Sequence, residues 1–228
     1  MPNFSALSTG LEMRLYAHPF SSYSWKAQIA LYENETPFEY RFLENPGAMD
    51  ELAALWPIRK FPLLVDREHT VMEATSIIEH LAVHHPGPVS LIPADPAAAA
   101  EVRMLDRIFD NYVNRPQQDI IFEVIRPDSA NRDPHGVATS RANLQAIYAW
   151  LDQQLAGREW ATGDDFTMAD CAAAPALFYA DWTEEIPTDL TTLKAYRARL
   201  LARPSVARCV EEARPFRPYF PLGAPDRD

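Results

Sequence analysis

Cysteine is scarce in this sequence. Two stand among 228 residues, Cys171 and Cys209, and they form no C-x-x-C pair. That argues against a disulfide framework, a zinc site and a dithiol redox motif. No metal is expected, and a reducing cytoplasm is the compartment that fits. Long apolar runs are missing too. No uncharged stretch approaches the ~20 residues of a membrane-spanning helix. The opening MPNFSALSTGLE has neither the basic flank nor the apolar centre of a signal peptide. Basic residues are outnumbered, 21 Lys and Arg against 32 Asp and Glu, for a formal net charge of −11. A surface this acidic repels phosphate backbones, so nucleic acid is not an expected partner, and without a spanning run neither is a membrane. A small anion can still bind, but only where local donors gather.

What is present is an ordinary globular mixture, 47% hydrophobic and 23% charged, in a chain long enough for one large or two small domains. Residues 1–12 read as a frayed arm. Residues 13–17 (MRLYA) have the pattern of a strand ended by His18-Pro19, and Trp25, Ile29 and Tyr32 recur at helical spacing over 24–34. A second strand follows at 38–42, a turn at Asn45-Pro46-Gly47 and a helix at 49–55. Residues 63–65 and 70–72 flank a polar turn, and 73–85 is helical, with Ile77, Ile78 and Leu81 inward. The order is β-α-β-α-β-β-α. Prolines 86, 88, 93 and 96 then mark a linker, and no strand pattern appears beyond it. Residues 97–126 form one helical stretch that Pro116 should kink or break. Further helices fall at 137–155, 167–179, 190–201 and 205–212, and 214–228, with four prolines, reads as a tail. The expected domains are an α/β unit at 13–85, a linker at 86–96 and an all-α unit at 97–228.

Four segments stand where chemistry is possible. SSYSWKAQIAL, residues 21–31, crowds three serines and a tyrosine at a helix start. A single capping hydroxyl, Ser22 or Ser24, is worth about 1 kcal/mol. The surplus is either incidental polarity or a donor set for a thiolate or carboxylate, held where unpaired helix N–H groups already favour an anion. In KFPLLVD, Pro62 opens a strand to whose ladder it cannot donate. A cis bond there would turn the Phe61 N–H and C=O toward an extended peptide-like ligand. In MEATSI, Glu73 begins a helix. It either simply favours the dipole, or holds an ammonium group while the helix N–H groups hold a carboxylate, a pair that recognises an amino-acid end. Thr167 and Asp170 in FTMAD have the spacing of a capping box, a structural feature.

Together these segments resemble the cytosolic glutathione transferases over nearly the whole chain. The match is carried by SSYSWKAQIAL, KFPLLVD, EATSIIEHL and FTMADCAAAPAL, the first being similar to the zeta-class pattern SSCSWRVRIAL. The resemblance implies a thioredoxin-like N-terminal domain, an all-helical C-terminal domain, glutathione as co-substrate and a homodimer. It implies Ser21 as the hydroxyl bound to the glutathione sulfur, with Ser22 its neighbour. Glu73 and Ala74 would hold the γ-glutamyl end, Phe61 and Pro62 the cysteinyl backbone, and Lys60 the glycine carboxylate. A small hydrophobic electrophile would lie among Pro19, Phe20, Phe109, Tyr112 and Val113, and the activity implied is detoxifying conjugation.

Three departures qualify that assignment. The family usually has Glu-Ser where this chain has Glu73-Ala74. A lost hydroxyl removes a hydrogen bond worth about 0.5–1.5 kcal/mol, for which Thr75 is the nearest replacement. Tyr23 stands at a cysteine position of the zeta class, which weighs against maleylacetoacetate isomerisation. Trp56 and Phe61 are bulkier than is usual. The alternatives are a glutathione-dependent isomerase or dehalogenase, and a non-catalytic binding protein on the same fold, which Ala74 favours. A glutaredoxin-like reductase is disfavoured, since no cysteine lies near the first helix.

Overall fold

The computed structural model describes residues 12–228, so the expected arm lies outside the described residues except for Glu12. Four strands, β1 (Met13–Ala17), β2 (Glu39–Phe42), β3 (Leu63–Asp66) and β4 (His69–Met72), form one sheet in the order β2-β1-β3-β4. β1 and β2 run parallel because helix α1 (Ser22–Glu33) carries the chain back between them, and the other pairs are antiparallel. Strand alternation divides the sheet into two faces. Leu15, Ala17 and Leu64 pack beneath α1 and α3 (Ala74–His84), whereas Tyr16 and Leu63 meet Leu52 of α2 (Ala48–Leu55) on the other side.

The remainder is helical: α4 (Pro96–Ile108), α5 (Arg115–Val124), α6 (Pro134–Gln154), α7 (Met168–Thr183), α8 (Thr191–Ala202) and α9 (Pro204–Ala213). α7 is buried along its whole length and is the axis of this half. Its start is secured as the Thr167/Asp170 spacing predicts: the Asp170 carboxylate accepts from the Thr167 N–H at 2.8 Å. It also accepts from the Ala161 N–H and the Tyr196 hydroxyl. Trp25 of α1 packs against Phe178 and Tyr179 of α7, so the sheet half and the helical half share one hydrophobic core.

The long stretch before α6 is distorted ahead of Pro116 but not interrupted. Between α4 and α5 the chain widens into a π-helical segment, Phe109–Asn114, closed by a bond from the Arg115 N–H to the Asp110 carbonyl. Proline lacks an N–H and its ring crowds the carbonyl four residues back. Widening the turn relieves both problems without ending the helix. The expected tail is also ordered. A 3-10 segment, Arg214–Tyr219, lays Phe216 against His18 and sets Phe220 on Trp182, and Arg217 stacks over Trp182. Among the described residues no helix is long and apolar enough to cross a membrane.

Candidate active site

The loop after β1 accounts for one of the crowded serines. The His18 N–H donates to Ser24 Oγ at 3.3 Å, the His18 ring Nδ1 accepts from the Phe20 N–H at 3.0 Å, and the His18 carbonyl accepts from the Ser21 N–H at 3.1 Å. The Trp25 indole donates to the Pro19 carbonyl. Ser24 is fully buried and serves the loop. Ser21 is the N-cap of α1, its Oγ accepting from the Ser24 N–H at 3.3 Å. Ser22 is engaged from the helical half, its Oγ accepting from Gln118 Nε2 at 3.4 Å. Tyr23 points elsewhere. Its hydroxyl hydrogen-bonds Asn114 of the π segment and feels the carboxylates of Asp110 and Glu73. Burial first, then the Asp110 charge, push this phenol above its ordinary pKa, so it remains a proton donor at neutral pH.

A first cavity forms where β3, β4 and α3 converge. Tyr23, Trp56, Lys60, Phe61, Pro62, Met72, Glu73 and Ala74 line it. The five sequence-predicted residues from Lys60 to Pro62 and at 73–74 therefore do meet in space. The Phe61–Pro62 peptide bond is cis. Glu73 precedes α3 as its N-cap, with φ +69° and ψ 126°. A non-glycine residue in that region carries about 1–3 kcal/mol of backbone strain. Glu73 is exposed, at the end of α3 where unpaired N–H groups gather. Thr75 does not replace the missing Ala74 hydroxyl. Its Oγ1 accepts from Lys26 Nζ at 2.7 Å and donates to Asp106 Oδ2 at 2.9 Å, on the side of α3 away from the cavity.

A second cavity opens at the same helix start, between the two halves. Phe20, Ser21, Ser22, Gln117, Gln118, Ile121, Phe122, Tyr179, Tyr219, Phe220 and Pro221 line it. Of the five residues expected around an electrophile, only Phe20 is among them. Pro19 is buried with its carbonyl held by Trp25. Phe109 and Val113 are fully buried in the shared core, and Tyr112 is 59% exposed and does not line the cavity. Helical continuity is the reason. Phe109 follows Val102 and Leu105 on the buried face of α4, Val113 follows Phe109 by four residues, and residues of α5 reach the opening instead. The aromatic tail residues were missed because four prolines in fifteen residues read as loose chain. The signal that could have found them was the spacing of Phe216, Tyr219 and Phe220, dense in apolar rings for a disordered end.

Residues 15–89 match the family described as Glutathione S-transferase, N-terminal domain, and residues 119–199 match Glutathione S-transferase, C-terminal domain. The chain belongs to the cytosolic glutathione transferase family. Among its relatives are FtsZ-localized protein A of Caulobacter vibrioides, 29% identical over 85% of this chain and 89% of that one. The Stringent starvation protein A homolog of Coxiella burnetii is 30% identical over 73% and 75%. A glutathione S-transferase of Methylobacterium radiotolerans, solved in complex with glutathione sulfonate, superimposes with a TM-score of 0.75 at 28% identity, over 87% of this chain and 94% of that one.

Behind the candidate transferase site lies a buried ionic group that sequence patterns do not show. Lys26 of α1 is 1% exposed, and its Nζ stands 2.5 Å from Asp106 Oδ1 and 2.7 Å from Asp110 Oδ2. Arg107 reaches Asp106 Oδ2 at 2.5 Å, Asp110 Oδ2 at 3.1 Å and the Thr75 hydroxyl. Two cations and two carboxylates leave the group neutral, which is the condition for placing charges out of water. Burial pushes the Asp110 carboxyl above its ordinary pKa, opposed by Lys26. The group ties α1 and α3 to α4 and the π segment immediately behind Tyr23 and Glu73.

Proposed function

We propose that this chain is a glutathione transferase that binds glutathione in the first cavity and conjugates its thiol to a hydrophobic electrophile held in the second. The carrying observation is that Lys60, Phe61, Glu73 and Ala74 converge on one cavity that reaches the start of α1. Glu73, held in a strained backbone at the N-terminus of α3, suits an α-ammonium group, and the α3 N–H groups suit the adjoining carboxylate. Phe61 offers main-chain pairing to the cysteinyl residue, and the exposed Lys60 ammonium offers charge to the glycine carboxylate.

The sulfur then falls at the α1 N-terminus. A free thiol has a pKa of about 8.5, leaving a few per cent thiolate at neutral pH. Partial positive charge at the helix end and a donor hydroxyl favour the anion. A shift of about two units corresponds to roughly 2.7 kcal/mol. Ser21 is the donor we assign. Tyr23, protonated and lining the first cavity, is the second candidate. The electrophile pocket is revised to Phe20, Ile121, Phe122, Tyr179, Tyr219 and Phe220, apolar walls with Gln117 and Gln118 as the polar elements. A homodimer in the cytoplasm accords with the family.

A second reading, a glutathione-binding protein without catalysis, draws support from Ala74 and from Thr75, whose hydroxyl is committed to the ionic group. Calorimetric titration with reduced glutathione, followed by a thiol-conjugation assay, separates the readings. The transferase predicts micromolar to low-millimolar binding weakened in Glu73→Ala, and a conjugation rate that falls in Ser21→Ala or Tyr23→Phe. Binding with no rate dependent on either hydroxyl selects the binding protein. No heat at several millimolar glutathione overturns both.

A further inference from the structure

α3 begins at the proposed glutathione site and ends, about 15 Å along its axis, among histidines. Four of the chain's six histidines gather there. His69 opens β4, His80 and His84 lie one turn apart on α3, and His85 is the residue that ends it. Asp66, the last residue of β3, sits among them. Its Oδ2 meets His80 Nε2 at 2.8 Å and His85 Nε2 at 2.6 Å. The His80 ring centroid is 4.4 Å from that of His84, and His69 stacks on His84 at 5.7 Å.

Local structure explains the gathering. Helical spacing of four puts His80 and His84 on one face. The β3–β4 hairpin turns at Arg67, in a left-handed conformation, and sets Asp66 directly across from His69. His85 leaves the helix with φ −136° and ψ 56°, which brings its ring back over the same carboxylate.

An anchoring role for Asp66 accounts for two of these imidazoles and leaves His69 and His84 unexplained, both exposed beside the pair. Imidazole and carboxylate together are the ligand set of borderline divalent cations. The ligand atoms of Asp66, His80 and His85 lie within 4.8 Å of one another. Zinc binds such atoms at about 2.0–2.2 Å, so a tetrahedral site needs them about 3.3 Å apart. The present contacts would open by roughly half an ångström, as the Nε2 protons leave and the ion takes their place between nitrogen and carboxylate.

We propose that Asp66, His80 and His85 are three ligands of a zinc-class divalent metal site, with His84 supplying the fourth and His69 stacked behind it. Zinc, with no geometric preference of its own, suits a set drawn from a strand end, a helix face and a helix cap. The ion would tie the β3–β4 hairpin to the end of α3. It departs from the expectation of no metal, which rested on the scarcity of cysteine. The site is separate from the thiol site and does not depend on the transferase reading.

The test uses the full chain without a polyhistidine tag, stripped with a chelator and titrated with Zn²⁺ against a chromophoric competitor at neutral pH. One Zn²⁺ per chain with micromolar or tighter affinity is expected. His80→Ala and His85→Ala should each weaken it at least tenfold, His84→Ala about threefold to tenfold, and His135→Ala, on α6, not at all. Zn²⁺ should also raise the melting temperature of the parent chain and not that of His85→Ala, a readout that spares the buried Asp66 from substitution. Affinity weaker than millimolar, or equal uptake by a His80→Ala/His85→Ala double variant, overturns the proposal. Unchanged affinity in His84→Ala overturns the fourth ligand.

Discussion

Lys26 Nζ lies 2.7 Å from Asp110 Oδ2, across 84 residues of chain, and joins the helix that follows β1 to the π turn of the helical half. Neither residue lines the candidate site. The elements they join carry Tyr23, three residues before Lys26 on α1, and Asn114, four residues after Asp110 in the π segment. The charge pair thus ties the helix that bears Tyr23, a wall of the first cavity, to the helical half.

Removing one partner should be expensive. Lys26→Met leaves Asp106 and Asp110 buried with Arg107 alone, and loss of one member of a buried pair costs about 3–5 kcal/mol. Urea denaturation should show that loss. A change below about 1 kcal/mol would mean that water reaches the group and that its apparent burial carries little energy.

The pH dependence of this group has a definite sign. Burial raises the Asp110 carboxyl above its ordinary value, so the folded state binds the proton more tightly than the unfolded chain. The contribution of Asp110 is therefore most favourable below the ordinary carboxylate pKa, and it declines as pH rises through the raised value. Asp110→Asn forfeits a charge partner of Lys26 and should be less stable than the parent, but because it cannot ionise that deficit should shrink as pH rises from below the ordinary carboxylate pKa. Denaturation midpoints over that rise check it, and a difference that moves the other way would mean that Lys26 outweighs desolvation.

Ala74 offers a gain of function. It is 4% exposed and lines the first cavity, the proposed glutathione site, at the first turn of α3. Ala74→Ser adds one hydroxyl beside Glu73, worth about 0.5–1.5 kcal/mol of binding, or roughly twofold to tenfold in affinity. Calorimetry with reduced glutathione measures this directly. No gain, with Glu73→Ala still weakening binding, would place the γ-glutamyl carboxylate on the backbone N–H groups alone.

The carboxy-terminal aromatic segment should govern the electrophile more than glutathione. Phe220→Ala removes a ring packed on Trp182 and a wall of the second cavity. Burial loss of this size costs about 3–5 kcal/mol of stability. In the folded fraction, KM for an aromatic electrophile should rise severalfold while that for glutathione holds. Equal rises for both substrates would mean that the segment shapes the helix start and not the electrophile wall.

Much of this was legible from local pattern. Alternation in MRLYA and EYRF marks two strands, helical spacing places Trp25 and Ile29, and Thr167 with Asp170 announces the start of α7. Those signals are local because secondary structure is decided by neighbours within a few residues. That the residues from Lys60 to Pro62 and at 73–74 would meet was legible for a related reason: they sit beside strand and helix ends, where backbone polarity alone suggests anion binding.

What tertiary structure decided lies beyond that range. The neutralisation of Lys26 by Asp106 and Asp110 requires contacts across the two halves, and no periodicity within α1 encodes them. That Phe109 and Val113 face the shared core, and that α5 and the last residues line the second cavity, is settled by how the two halves pack. The ordering of the last residues depends on Trp182 and His18 awaiting them. So the sequence by itself determined the elements, their order and the polar helix ends that converge on the first cavity. Only the tertiary structure decided which side chains face the second cavity, because facing is settled by the burial of charge and apolar surface summed over the whole molecule.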